Sequence, residues 1–269
     1  MATKPDDVRR SPVAAMLYGA PIGLLGGLIG LGGAEFRLPV LAGYFGYAAR
    51  RAVALNLAIS LVTVVSALII RGGTLSLAPL LSLFPVVAAM IVGAVSAAYL
   101  GTALVHRVSE HLLERVILVF LVVIGTALIV EAFLPQDVPG LLPASPFVRL
   151  VAAVIFGLGI GLVSSLLGVA GGELIIPTLV FAFGAGIKTA GTASLLISLP
   201  TVAVGVIRHR RLGSFANRSH LTQTVAPMGA GSVVGAVVGG FCVGLVPAAV
   251  LKLVLGVILI VSAVRIFYR

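Results

Sequence analysis

Long apolar runs, separated by short polar or glycine-rich segments, fill almost the whole chain. Eight runs have 19 residues or more, and about 20 apolar residues in an α-helix cross the roughly 30 Å hydrocarbon core of a bilayer. Two runs are shorter, and because ten residues of helix rise only about 15 Å, these predict helices that reach half-way through the membrane. The long runs lie at about 13–33, 52–70, 79–105, 116–134, 149–170, 189–207, 221–246 and 248–267, and the short ones at 38–47 and 174–187.

The same pattern occurs twice, with a shift of 138 positions. Residues 19–42 and 157–180 are identical at ten of 24 positions without a gap. Since the shift is about half of the 269 residues, the sequence predicts two duplicated units. The predicted division is a cytoplasmic N-terminal tail at 1–12, a first transmembrane repeat at 13–134, an external proline-rich linker at 135–147 and a second transmembrane repeat at 148–269.

Composition supports a membrane protein and argues against other classes. Hydrophobic residues make up 60% of the chain and charged residues 10%, with a mean hydropathy of +1.23, whereas soluble domains have roughly 25% charged residues. The sequence therefore predicts an all-α polytopic membrane protein. Its net charge of +10 predicts a basic cytoplasmic face beside the lipid bilayer and no nucleic-acid partner. The single cysteine, Cys242, excludes an internal disulfide, and neither a metal site nor a cofactor is expected.

The basic residues favour one of two topologies. If the short runs do not cross the membrane, the repeats are parallel, with 11 Lys and Arg residues inside and 7 outside. If they do cross, the second repeat is inverted, and the count becomes 13 inside against 5 outside. Because cytoplasmic loops carry the excess of Lys and Arg, the sequence predicts two inverted-topology repeats of about four long transmembrane helices plus one short half-membrane helix each. The predicted location is a bacterial inner membrane, with both termini cytoplasmic.

The duplicated segment is rich in residues that interrupt helices. Glycine lowers helix stability and proline removes a backbone donor, so each copy predicts broken helices. A break leaves unpaired N–H groups and a positive dipole end that attract anions, and two such ends near the midplane are expected of a secondary transporter. The alternative is that these glycines only allow close helix packing. The motif residues are Gly30, Gly32, Gly33 and Pro39 in the first copy and Gly168, Gly171, Gly172 and Pro177 in the second.

Close packing is the interpretation for two other sets of glycines at four-residue spacing. Such patterns let helix backbones approach each other, so they predict helix–helix seams, and a homodimer through these seams is one expected use. The glycines are Gly19, Gly23, Gly27, Gly231, Gly235 and Gly239.

Two carboxylates, Glu35 and Glu173, occupy matching places in the repeats and are flanked by apolar sequence. A charge at membrane depth costs about 3 kcal/mol on insertion scales, so an unpaired one is expected to be functional. A carboxylate removed from water can carry a proton near neutral pH, and one hypothesis is that one or both couple transport to protons. The other hypothesis is that each caps the N-terminus of the restarting helix.

Polar side chains after each motif share one face of a helix, because they are spaced by four and three residues. They are predicted to bind substrate oxygens if they face a cavity, and to form ordinary helix–helix hydrogen bonds otherwise. Arg37 has no basic counterpart, since Ile175 takes its place, and it is predicted to be either a substrate ligand or an interface anchor. The polar residues are Asn56, Ser60 and Thr63 in the first repeat and Ser194, Ser198 and Thr201 in the second.

The repeated glycine–glutamate–proline motif, each copy opening a half of four long helices, resembles the sulfite exporter TauE/SafE family, also called toluene-sulfonate uptake permeases. The resemblance runs from about residue 13 to 267. It implies a secondary transporter of sulfur-containing anions, such as sulfite or sulfonates including sulfoacetate. It also implies a functional role for the motif glycines and prolines, whereas glutamate at 35 and 173 is only one of the choices seen at that place in the family.

The predicted function is therefore a proton-coupled anion transporter with alternating access between the two repeats. One alternative is a cation or metal permease that uses Glu35 and Glu173, although two carboxylates without nearby His, Asp or Met are few ligands for a metal. The other is a non-transporting membrane assembly subunit. No catalytic residue is predicted, since the four histidines have no metal or catalytic partner in the pattern, and the protein is not expected to be an enzyme.

Overall fold

The computed structural model describes residues 11–29, 32–74, 78–105, 107–133, 140–241 and 247–267, and within these ranges the protein is helical, without a β-strand. The helices are α1 (Pro12–Ile29), α2 (Ala34–Pro39), α3 (Ala49–Thr74), α4 (Ala78–Val105), α5 (Glu110–Glu131), α6 (Pro146–Leu167), α7 (Gly172–Pro177), α8 (Ile187–Arg211), α9 (Arg218–His220), α10 (Ala226–Phe241) and α11 (Ala248–Phe267). π-Helical turns follow α2 at Val40–Tyr44, α7 at Thr178–Ala182 and α9 at Leu221–Val225.

The second half of the chain repeats the series of elements in the first half. The short helix α7 begins and ends 138 positions after α2, and the π-helical turn that follows it has the same shift. Helices α6, α8 and α11 correspond in order to α1, α3 and α5, while α9 and α10 together take the place of α4. The duplication seen in the sequence is therefore present in the succession of helices.

The helices are long and apolar enough for a membrane protein. Five segments of the described chain meet the length and hydropathy expected of a span, and two apolar helices, at 12–27 and 172–182, are shorter. Large apolar side chains also lie on the outside, as at Leu81 and Phe133, which are 74% and 76% exposed. The chain is a helical membrane protein. The five segments are Ala49–Ile70, Leu80–Thr102, Pro146–Leu167, Thr189–Arg211 and Arg218–Gly239.

The first helix of each half packs against the fourth element of the other half. Helix α1 contacts α10, and α6 contacts α4. Gly19 and Gly23 of α1 lie against the backbone of Met228 and Ser232, and Ser232 Oγ donates a hydrogen bond to the Gly19 carbonyl at 3.1 Å. Because the partner number rises with the glycine number, α1 and α10 run parallel.

The glycine seams predicted from the sequence are thus used inside one chain. Gly27 faces Ala236, while Gly231 and Gly235 lie on the backbone of Met16 and Ala20, so a Cβ at any of these glycines would overlap the partner helix. The homodimer itself stays a prediction, and a second copy would need a different surface.

Corresponding helices of the two halves also meet each other. In α5 and α11, Gly125 faces Ile260 and Gly256 faces Ile129, so these two helices run in opposite directions. Helices α3 and α8 pack together as well, and an apolar cluster between them includes Leu57. The short helices α2 and α7 lie against α3 and α8 respectively. The helix breaks are therefore held at the interface of the two halves.

Candidate functional site

Each duplicated motif forms a helix break. Helix α1 ends at Ile29 and α2 begins at Ala34, while α6 ends at Leu167 and α7 begins at Gly172. The chain turns at Gly33, Gly168 and Gly171 with φ of 65°, 68° and 81°, a left-handed conformation that costs other residues free energy. The prediction of broken helices is confirmed, although Gly30 lies outside the described residues.

The prolines have a different place from the one predicted. Pro39 and Pro177 are the last residues of α2 and α7 rather than part of the breaks, and a π-helical turn follows each of them. Because proline has no N–H to donate to the fourth preceding carbonyl, it suits a point at which the helix changes from α to π spacing. The prolines therefore shape the helix after the break, and the glycines make the break itself.

The two breaks lie side by side and are joined by one amide. Asn56 Nδ2 donates to the Ala34 carbonyl at 2.7 Å and to the Gly168 carbonyl at 2.9 Å. Gly32 lies so close to Ala170 that a Cβ built on it would be 3.1 Å from the Ala170 Cβ. A single side chain of α3 thus satisfies carbonyls from both halves, which fixes the breaks relative to each other.

Arg37 extends from α2 into this junction and is fully buried. Its Nε donates to Asn56 Oδ1 at 3.2 Å, and its Nη2 donates to Ser60 Oγ at 2.9 Å and, more weakly, to Thr63 Oγ1 at 3.5 Å. The helical face predicted from Asn56, Ser60 and Thr63 is therefore real, and in this structure it holds a guanidinium. Arg37 Nη1 has no hydrogen-bond partner among the described residues.

Two carboxyl groups from opposite halves share this buried region. Glu35 is fully buried and Glu173 is 6% exposed, and they interact electrostatically with each other and with Arg37. Within the part of the chain that the structure describes, no donor reaches any of their four oxygens in hydrogen-bond geometry. Glu35 and Glu173 each lie in the first turn of the restarting helix, and this position is what the capping hypothesis has in its favour.

The hydroxyls of the second repeat are used differently. Ser198 Oγ donates to the Ala170 carbonyl at 2.6 Å and so supports the second break. Ser194 Oγ donates to the Gly191 carbonyl of its own helix at 2.9 Å, and Thr201 likewise bonds within α8. In the first repeat these positions thus hold an arginine as well as backbone carbonyls, whereas in the second repeat, among the described residues, they bond to backbone carbonyls alone. The site is therefore asymmetric.

Ser164 belongs to the site, although the sequence pattern does not predict it. Its Oγ donates to the Val169 carbonyl at 2.5 Å, and its own carbonyl accepts from the Gly168 N–H at 2.9 Å. It takes the place of Gly26 in the repeat, so the alignment of the two copies offered no shared polar residue there. The sequence feature that could have indicated Ser164 is a hydroxyl four residues before a glycine that ends a helix.

Comparison with known proteins identifies a family for most of the chain. A sequence model of the family described as sulfite exporter TauE/SafE matches residues 2–128 and 153–269. The unmatched stretch between these ranges includes the predicted linker. No curated protein and no solved structure matches the chain.

Proposed function

We propose that this chain, which belongs to the sulfite exporter TauE/SafE family, is a secondary transporter that moves small sulfur-containing anions across a bacterial inner membrane. Sulfite and sulfonates such as sulfoacetate are the proposed substrates, and protons are the proposed coupling ion. The observation that carries the proposal is the guanidinium of Arg37, buried where the two helix breaks meet and with one nitrogen unpartnered among the described residues.

The donors of Arg37 suit an oxyanion. A guanidinium has five N–H groups, and the contacts to Asn56, Ser60 and Thr63 use Nε and Nη2. The two N–H groups of Nη1 are left for a ligand. A sulfonate or sulfite presents several oxygens on one centre, and arginine binds such groups through parallel, charge-assisted hydrogen bonds.

The carboxyl pair supplies a reason for proton coupling. With Glu35 and Glu173 both ionised, an arriving anion would meet two like charges in a region of low dielectric, where such repulsion is strong. A proton on one carboxyl removes a charge and also gives the pair an O–H donor that the other carboxylate can accept. Anion and proton therefore favour each other's binding. The same guanidinium would repel a metal cation, which argues against the alternative of a metal permease.

Alternating access follows from an inverted arrangement of the repeats. Helices α5 and α11 are equivalent in the duplication and run in opposite directions, as the pairs Gly125–Ile260 and Gly256–Ile129 indicate. The count of 13 Lys and Arg inside against 5 outside supports the same topology, with both termini cytoplasmic. Rocking of one repeat against the other would expose the junction of the breaks to each side in turn.

Uptake into proteoliposomes tests the proposal. Labelled sulfite and sulfoacetate are offered with and without an inward proton gradient to wild type, Arg37→Met and Arg37→Lys, with exposed Arg211→Met as the matched control. We expect wild type and the control to take up anion faster with the gradient, Arg37→Lys to retain part of the rate and Arg37→Met to lose it. Wild-type transport by a correctly folded Arg37→Met variant, checked by its elution and thermal unfolding, would remove Arg37 from the substrate site. Uptake of a divalent metal instead of an anion would favour the metal permease. Uptake of neither would favour the membrane assembly subunit.

A further inference from the structure

A cavity with two arginines in its lining lies between the two halves, away from Arg37. It is an open cavity of about 570 Å³ between α3, α8 and the segment that leads into α10, which is a usual size for a ligand site. The cavity reaches α3 at Ala58. Two residues along a helix are about 200° apart, so Ala58 is on the opposite face of α3 from Asn56 and Ser60. The cavity is therefore not the junction that holds Arg37.

Among the described residues, the cavity is lined by two arginines and no carboxylate. Arg210 comes from the last turn of α8 and Arg218 from the start of α9, and the rest of the lining is apolar or glycine, including Phe215. Both arginines are exposed, and neither side chain forms a hydrogen bond or ion pair within the described part of the chain. Arg208, by contrast, is held over the Tyr99 ring, 3.8 Å from its centroid. The charge of Arg210 and Arg218 is thus left for a ligand.

The loop between these arginines is held in shape by its own hydrogen bonds. The chain reverses at Gly213 with φ of 76°, and the Ser214 N–H donates to the His209 carbonyl at 3.0 Å. Asn217 then caps α9 by accepting from the Ser219 N–H at 3.1 Å. Because both ends of the loop are fixed, the backbone that carries the two arginines and Phe215 is in place before any ligand arrives.

We propose that this cavity is a second anion-binding site, for a soluble sulfonate or phosphate monoester with an apolar body. Its oxygens bind the guanidiniums of Arg210 and Arg218, and its carbon skeleton packs against Phe215. Arginine pairs recognise tetrahedral oxyanions through charge-assisted hydrogen bonds, and an aromatic wall favours a ligand that is not a bare inorganic ion. In the proposed topology the cavity opens to the cytoplasm, so it would hold the anion beside the transport pathway on that side.

The test separates this site from Arg37 by measuring binding without transport. The full chain carrying Arg37→Met is placed in phosphatidylcholine nanodiscs and titrated with naphthalene-2-sulfonate, whose fluorescence reports binding. We expect saturable binding. Arg210→Gln/Arg218→Gln should raise the Kd by roughly tenfold, because two exposed charge pairs with the ligand are lost. Arg211→Gln should change the Kd by no more than about twofold, since an exposed charge outside the cavity is largely screened. Equal binding by the double variant, or an equal loss with Arg211→Gln, would overturn the proposal.

A second arm distinguishes a soluble anion from a lipid headgroup. The titration is repeated in nanodiscs that contain phosphatidylglycerol, whose phosphate offers the same chemistry. We expect the difference between the double variant and the Arg211→Gln control to persist there. If it vanishes, the cavity is a lipid headgroup site and the assignment to a soluble anion is wrong. Because every measurement is made on the Arg37→Met background, failure of the transport proposal leaves this result unchanged.

Discussion

Arg37 and Asn56 are bound to each other in the interior of the protein, with Arg37 Nε donating to Asn56 Oδ1 at 3.2 Å. The same amide donates through Nδ2 to the Ala34 and Gly168 carbonyls at the two helix breaks. Asn56 therefore uses its acceptor on the cation and both donors on the backbone. A change in the position of Arg37 would therefore shift the amide that binds both breaks, and movement of one break would shift Arg37 through the same amide.

The first prediction concerns this amide. Asn56→Ala removes three buried hydrogen bonds, one from Arg37 Nε and two to the Ala34 and Gly168 carbonyls, and we expect it to lower the free energy of unfolding by about 2 kcal/mol. The matched control is Ser194→Ala, the equivalent position of the second repeat. Its hydroxyl bonds to the Gly191 carbonyl of its own helix, and its loss should cost about 0.5 kcal/mol. Thermal unfolding in detergent measures both variants, and similar losses would contradict the bridging role of Asn56.

The second prediction concerns the conformation of the breaks. Gly33→Ala and Gly171→Ala place a Cβ on residues with φ of 65° and 81°, and each should destabilise the protein by about 1–2 kcal/mol. Gly159→Ala of α6 is the control, because its new methyl group would meet no atom within 4 Å and alanine favours a helix by about 1 kcal/mol over glycine. The temperature of thermal unfolding should therefore be lower than that of wild type for Gly33→Ala and Gly171→Ala, but not for Gly159→Ala.

Much of this arrangement could be predicted from sequence because the signals are local. Glycines determine where a helix breaks through the conformation of their own backbone. Apolar runs of bilayer length and a carboxylate at a fixed place act through the solvent around them. The sequence indicates Arg37 and Asn56 as candidate site residues, but the bond between them depends on how α2 packs against α3. The bond from Asn56 to Gly168 joins residues 112 positions apart, and no local pattern encodes such a contact. The π-helical turns after Pro39 and Pro177 escaped prediction because proline marks an interruption without saying which spacing follows it.

The third prediction tests proton coupling at the carboxyl pair. Glutamine cannot gain or lose a proton, so Glu35→Gln/Glu173→Gln should abolish the acceleration of uptake by an inward proton gradient. Exchange of labelled for unlabelled anion at equal pH requires no net proton movement and should persist. Glu114→Gln on α5 is the control, because Glu114 pairs with exposed His111 at 3.7 Å and should leave both measurements unchanged.

The opposite outcome of this experiment has a structural meaning. If the double glutamine variant still responds to the gradient, the two carboxyl groups serve only the restarting helices. That result would favour the capping hypothesis, for which glutamine is an adequate replacement near a helix N-terminus, and the proton pathway would have to be sought elsewhere. Loss of both exchange and gradient-driven uptake would instead place the pair in substrate binding.

The fourth prediction concerns topology and uses the loop between the halves. In the inverted arrangement this loop is external, whereas parallel repeats would place it in the cytoplasm. Leu141 is 80% exposed, so Leu141→Cys, with Cys242 replaced by serine, should react in intact cells with a thiol reagent that cannot cross the membrane. Leu212→Cys, at a position 46% exposed in the loop after α8, should react only after the cells are opened. Protection of both Leu141→Cys and Leu212→Cys in intact cells would mean that both repeats point the same way, and the two helix breaks could not then open to opposite sides in turn.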